Sequence, residues 1–169
     1  MKKIGTILLL VVLAVSVLPA EETAGTGTAA ETAVREDSFG VNVLGAVGGL
    51  IFGSVDIMME YQHAFGPHLA LLVTPELLFG YGFWGIASGV GINIYPMGKY
   101  LHGFFISLFP VGGIVGAGGY VVPYFGAFVR LGFEWVFDSG FLLSLGGGGK
   151  WDNYLGLSPN LVLTLGYAW

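Results

Sequence analysis

The chain contains no cysteine. That excludes disulfides, thiolate metal sites, a cysteine nucleophile and an acylated lipobox cysteine. Charge is also scarce: only 10% of the residues are Asp, Glu, Lys or Arg, against about 25% in ordinary soluble domains. So few charges cannot coat a water-facing exterior. Basic residues are the rarer sign, six against eleven acids, which leaves no basic surface for nucleic acid. The three histidines are scattered, mostly near turns, and no carboxylate–histidine spacing suggests a metal. In place of charge the sequence has apolar residues (54%), aromatics (15%) and 30 glycines. Glycine is far above the usual ~7%.

The first stretch, "MKKIGTILLLVVLAVSVLPA", has two lysines, an apolar run and a small residue at Ala20. This is the pattern of a secretory signal peptide over residues 1–20. Leu18 is larger than the residue preferred there, so the sequence leaves the cut position open, and an uncleaved anchor helix is the alternative. Residues 21–38 are polar, small and rich in Thr and Ala. With nothing large to bury, they read as a flexible tail. "GTGTAA" within it follows no strand and is not a nucleotide loop.

From Ser38 onward the composition changes. In "YFGAFVRLGFEWVF", Tyr124 to Phe137, the odd positions are all apolar: Phe125, Ala127, Val129, Leu131, Phe133, Trp135 and Phe137. The even positions carry both charges, Arg130 and Glu134, and both glycines, Gly126 and Gly132. A period of two is the signature of a strand with two different faces. A helix would set Arg130 beside Glu134, but it would leave aromatics on every side. "SVDIMMEYQHAF", "GIASGVGINIYP" and "NLVLTLGYAW" alternate in the same way. The large apolar set takes one face, and a small, sparsely polar set takes the other. Lipid requires every backbone polar group to be paired within the protein, so only helices and closed barrels span it. A barrel turns its apolar face outward and its mixed face inward. An arginine on the lipid face costs roughly 2–4 kcal/mol at mid-depth, so Arg130 belongs inside.

The fold class expected is all-β: an eight-stranded antiparallel transmembrane β-barrel of up-and-down topology over residues 39–169. Strands are expected near 39–50, 54–65, 68–79, 84–96, 102–112, 121–137, 140–150 and 158–169, separated by turn signals. With the N-terminus periplasmic, the outer turns are short. Aromatics gather near both strand ends, with Phe79, Tyr81, Phe83, Trp84, Tyr120, Trp151 and Tyr154 at one and Tyr95, Tyr100, Phe137, Tyr167 and Trp169 at the other. These read as two interfacial girdles. Pro75 and Pro110 fall inside expected strands, where each removes a ladder donor, and mark bulges or strand ends. The charge-free run from Gly103 to Val129 is also long enough for a membrane helix. A multi-helix inner-membrane protein is therefore the alternative fold.

At "GINIYPMGKYLHGFF" (Gly91–Phe105) and "LGFEWVFDSGFLLSLGGGG" (Leu131–Gly149) the chain resembles small bacterial outer-membrane barrels of OmpA/OmpX/OmpW-like architecture, including an uncharacterised group. The likeness rests on a Tyr-Pro-x-Gly-Lys turn followed by Gly-Phe, and on a Gly-aromatic-x-Trp-x-Phe strand before a glycine-rich one. It covers most of residues 39–169. The resemblance implies an eight-stranded barrel in the bacterial outer membrane, with lipid as its surroundings. Tyr167 and the closing Trp169 resemble the C-terminal signal read by the barrel-assembly machinery. It transfers no catalytic residue and no cofactor.

Related barrels that deacylate lipid A resemble one another in a His-x-Ser pair. Here Ala64–Phe65, Leu69–Ala70 and Gly103–Phe104 follow the three histidines, so the chain reads as non-enzymatic. "GGGGK" at Gly146–Lys150 is not a phosphate loop, because Trp151 follows the lysine. The functional candidate is the lumen. The register places Asp56, Glu60, Gln62, Glu76, Asn93, Arg130, Glu134 and Lys150 inside, with Asn42, Thr74, Ser107, Ser144 and Thr164. Arg130 and Glu134 lie about 13 Å apart along one strand at ~3.4 Å per residue, so each must find partners on other strands. Two readings follow. One is a structural ion-pair network that plugs the barrel, since eight strands leave room only for side chains. The other is a narrow channel for small molecules. Surface adhesion is a third role, weakened by the short outer turns. Inward glycines, among them Gly40, Gly48, Gly89, Gly91, Gly126, Gly132, Gly146 and Gly148, are expected to house Phe105, Phe109, Met58 or Leu72, to let strands bend, or to leave room for water or a slim ligand.

Overall fold

The computed structural model describes residues 35–45, 47, 54–97 and 100–169. The expected signal peptide and most of the expected tail, together with Gly48 and Lys99, lie outside the described residues. Eight strands follow in chain order: β1 (Asp37–Asn42), β2 (Ser54–Ala64), β3 (Leu69–Gly80), β4 (Phe83–Ile94), β5 (Gly103–Ala117), β6 (Tyr120–Val136), β7 (Phe141–Asp152) and β8 (Gly156–Ala168). Each pairs antiparallel with the next, and β1 pairs with β8, so the sheet closes into a barrel. Closure leaves no edge from Ser38 to Asn42, where β1 meets β2 on one side and β8 on the other.

The alternation that defines the strands also sorts the two faces. Along β6, Tyr124, Gly126, Phe128, Arg130 and Glu134 point inward and are buried, with Gly132 between them. Phe125, Val129, Leu131 and Phe133 stand exposed on the outside. β2, β4 and β8 keep the inward sets expected of them. The charge-free run from Gly103 to Val129 is the β5–β6 hairpin. It turns on Gly118 and Gly119, whose φ angles of 57° and 85° suit the two-residue turns that match strand twist. Among the described residues no helix is long and apolar enough to cross a membrane.

Three expectations need correction. First, β1 stops at Asn42 rather than running to residue 50. The Asn42 side-chain oxygen accepts from the backbone N–H of Leu44 (3.1 Å) and Gly45 (3.4 Å). This is an N-cap, which satisfies two donors that a strand would have paired elsewhere, and residues 43–45 are helical. Second, Pro75 and Pro110 are neither bulges nor strand ends. Each strand runs straight through in one register. The β2–β3 ladder skips from Met58↔Glu76 to Tyr61↔Val73, and the β4–β5 ladder from Gly89↔Val111 to Ile92↔Leu108. A proline has no N–H to give the neighbour it faces, so pairing lapses on that side. On the other side it continues, through Pro75↔Ser88 and Pro110↔Ala127. Third, β5 does not end near 112 but extends through Gly113 to Ala117.

Candidate functional site: the barrel lumen

The inward side chains fill the lumen in layers. At the end where β1 begins and β8 finishes, called the terminal end, Gln62 of β2 is the hub. Its Nε2 donates to Glu134 Oε1 (2.8 Å), and its Oε1 accepts from Asn93 Nδ2 (2.6 Å). The Tyr95 hydroxyl lies 2.6 Å from Glu134 Oε2 and 2.8 Å from Gln62 Oε1. Ser107 completes the chain by donating to Asn93 Oδ1. Four strands, β2, β4, β5 and β6, are thus tied through one buried polar cluster, fully hydrogen-bonded around Gln62.

Below this cluster the turn between β4 and β5 folds into the opening. Tyr95 is 1% exposed, and Leu101 is buried against Leu142 and Ala168. Leu101 adopts φ 59°, a left-handed conformation uncommon for a bulky residue. That turn sends its side chain inward. Tyr100 packs edge-on against Tyr95, ring centroids 5.4 Å apart. Tyr95 and Tyr100 therefore plug the lumen and do not join the aromatic girdle expected of them. The period was the better guide: Tyr95 is two residues beyond Asn93, on the inward face.

At mid-height Arg130 meets Glu60 in a buried ion pair, Nη1 to Oε1 at 2.5 Å. Thr164 donates to the other carboxylate oxygen at 3.2 Å. The guanidinium lies 4.5 Å above the Phe109 ring and 5.3 Å from that of Phe128, and the two rings stack 4.7 Å apart. Cation–π attraction and dispersion both favour this sandwich. With Met58 and Leu72 these side chains form a septum across the barrel. Glycines make the room: a Cβ on Gly89 would sit 2.8 Å from Phe109, and one on Gly132 would sit 2.6 Å from Phe105.

The hairpin end, carrying the β3–β4, β5–β6 and β7–β8 turns, is packed differently. Lys150 Nζ lies 3.8 Å from both Glu76 and Asp152. Asp152 ends β7, two residues beyond Lys150 on the same inward face, because the strand runs past the expected end at 150. Its Oδ1 caps the turn by accepting from the N–H of Tyr154 (2.9 Å) and Leu155 (2.7 Å).

All eight residues expected in the lumen network face inward, but they form three groups. Gln62, Asn93 and Glu134 share one cluster, and Glu60 with Arg130 forms the septum beside it. Asp56, Glu76 and Lys150 gather at the far end. Arg130 and Glu134 each find partners on other strands, as their spacing requires. Outside the lumen, His63 pairs with Asp37 directly across β1–β2 (Nδ1 to Oδ1, 2.9 Å), and Tyr61 donates to the same carboxylate. Tyr167 pairs in register with Phe39 and Phe141, and the Trp169 N–H donates to Asp37 O at 3.0 Å. Tyr167 and Trp169 thus lie on the seam between the first and last strands. No family of known proteins, no curated protein and no solved structure matches this chain, so the role of the lumen has to be argued from its geometry.

Proposed function

We infer that the chain is a non-enzymatic barrel of the bacterial outer membrane, exported by its N-terminal signal, with a structural role in the envelope. The single observation that carries this reading is the polarity inversion of the wall. Outward positions such as Ile86, Val90, Val129, Leu145 and Leu161 are each about half exposed or more, while Arg130, Glu134, Glu60 and Glu76 are buried inside. In water that arrangement would expose a continuous apolar belt far larger than soluble monomers tolerate. In lipid it is the stable one.

The septum and the folded-in β4–β5 turn argue against passage. Stacked phenyl rings, a buried ion pair and a hydrogen-bonded polar cluster fill the interior with side chains, which favours a plugged lumen over a channel. Lipid is the surrounding partner, and the barrel-assembly machinery is the partner during insertion, through Tyr167 and Trp169. Two measurements test the reading. The folded chain should migrate faster in SDS gels before boiling than after. In planar bilayers at high salt it should give no unitary current steps. Regular steps would instead favour the narrow-channel reading, and an unchanged gel mobility would sink the barrel itself.

A further inference from the structure

The rim of the hairpin end carries a hollow of about 270 Å³, separate from the lumen network. It lies where the β3–β4 turn meets the β5–β6 turn. Gly82 comes from the first, and Gly118 and Gly119 from the second. Trp84 and Tyr120 supply aromatic sides and stand 42% and 78% exposed. Trp84 is seated in advance. A Cβ on Gly116 would sit 2.5 Å from two atoms of the indole, so the ring rests directly on the Gly116 backbone. A ring already in place costs less ordering when a ligand arrives.

The glycines give the hollow a second kind of surface. A Cβ at Gly82, Gly118 or Gly119 would meet nothing within 4 Å, so the space above their backbone is open. Among the described residues the N–H groups of Gly118 and Gly119 have no backbone acceptor. No charged side chain lines the hollow. Together these features select the occupant. An ion would find no opposite charge to offset its desolvation. An acyl chain would pack on the rings but would seal the open N–H groups in hydrocarbon, where an unpaired donor is costly. The volume falls below the ~300–1,000 Å³ of drug-sized sites, which leaves room for one small ring and not for a peptide. The chemistry required is an apolar C–H face with a rim of hydroxyls. C–H bonds meet the negative faces of aromatic rings, and hydroxyls accept from backbone N–H groups.

We propose that the hollow between the β3–β4 and β5–β6 turns binds one neutral pyranose ring against Trp84 and Tyr120, with its hydroxyls on the Gly118 and Gly119 backbone. A β-glucoside suits it best, because all its substituents are equatorial and both C–H faces are bare. The site requires neither a channel nor a lipid-facing wall. The same ring is carried by a soluble saccharide and by the sugar head of a glycolipid, and the two sources are separable by experiment.

The test uses the full chain folded in phosphatidylcholine nanodiscs, with amide NMR shifts at Gly82, Gly118 and Gly119 as the readout. Methyl β-D-glucopyranoside should shift them saturably, in the millimolar range expected of one small ring. Sorbitol, which has hydroxyls but no ring face, should not. Nanodiscs doped with monoglucosyl diacylglycerol separate the sources. A response to that lipid alone assigns the site to a headgroup, and a response to both assigns it to the ring itself. Trp84→Ala removes one aromatic side and should weaken binding about two- to tenfold, the worth of one stacked ring. Gly116→Ala keeps the indole but pushes it off its seat, and should weaken binding similarly; a merely apolar patch would bind no worse with the added methyl. Tyr120→Ala, at an exposed turn tip, keeps the test decisive should the Trp84 variant misfold. Equal responses to glucoside and sorbitol, no response to either glucosyl compound, or an affinity indifferent to all three substitutions would overturn the proposal.

Discussion

Removing the Arg130 guanidinium is the sharpest probe of the septum. In Arg130→Met the volume and much of the stacking on Phe109 and Phe128 remain, but Glu60 is left buried with Thr164 as its one remaining donor, at 3.2 Å. Breaking a buried pair from one side typically costs about 3–5 kcal/mol, because the abandoned charge stays desolvated. Replacing both partners by apolar groups of similar size is often neutral or stabilising. Arg130→Met should therefore lower the unfolding free energy by about 3–5 kcal/mol, while Arg130→Met combined with Glu60→Leu should recover most of it. The assay is reversible urea unfolding in micelles or small vesicles, followed by tryptophan emission and by gel mobility. The free energies come from linear extrapolation with a shared slope. The reasoning fails if the double variant is as unstable as the sum of its parts. It also fails if Arg130→Met alone changes stability by less than about 1 kcal/mol, since the pair would then behave like a hydrated surface bridge.

Tyr95→Phe removes the hydroxyl shared between Glu134 and Gln62 but leaves the Gln62–Glu134 and Gln62–Asn93 bonds, so it should cost only about 1–3 kcal/mol in the same unfolding assay. Gln62→Leu strips partners from Glu134, Asn93 and Tyr95 together and should cost more than Tyr95→Phe; an equal cost would mean that Gln62 is not the hub. Gly89→Ala puts a methyl into Phe109, Val111 and Thr74, an overpacking penalty of about 1–3 kcal/mol. Adding Phe109→Leu should relieve part of that cost, and absence of relief would place the strain in the backbone. Because the chain has no cysteine, single thiols report facing cleanly. Phe133→Cys should react with a lipid-soluble maleimide in the folded protein, whereas Ser107→Cys should stay unreactive to any reagent until unfolding. The opposite pattern would invert the barrel.

The alternation of large apolar and small or polar residues was enough to set each strand's facing. Side chains in a strand have a period of two, and a single wrong step would bury the wrong set. Scarcity of charge then made a water-coated sandwich untenable. From these two facts came the inward set from Asp56 to Lys150 and the requirement that Arg130 and Glu134 seek partners elsewhere, while the turn signals supplied the strand count. Their partners were out of reach of local pattern. Glu60 is 70 residues from Arg130 and Gln62 is 72 from Glu134. They meet only because the ring closes with a definite stagger, which links side chains across the lumen and not merely along neighbouring strands.

Where periodicity ends, so did legibility. Tyr100 and Leu101 lie in a turn, whose residues follow backbone conformation and not face alternation. The positive φ at Leu101 that turns the β4–β5 connection inward has no glycine or asparagine to announce it. Asn42 read as an inward strand residue, and it is one; that its side chain also caps a helical turn and ends β1 depends on the free N–H groups that follow it. The sequence by itself determined which side chains face in and which face out, because that depends only on neighbours along one strand. The closed tertiary structure decided which inward groups pair, which stack into a septum and which are left wanting a partner, because those outcomes depend on distances across the barrel that exist only after it has closed.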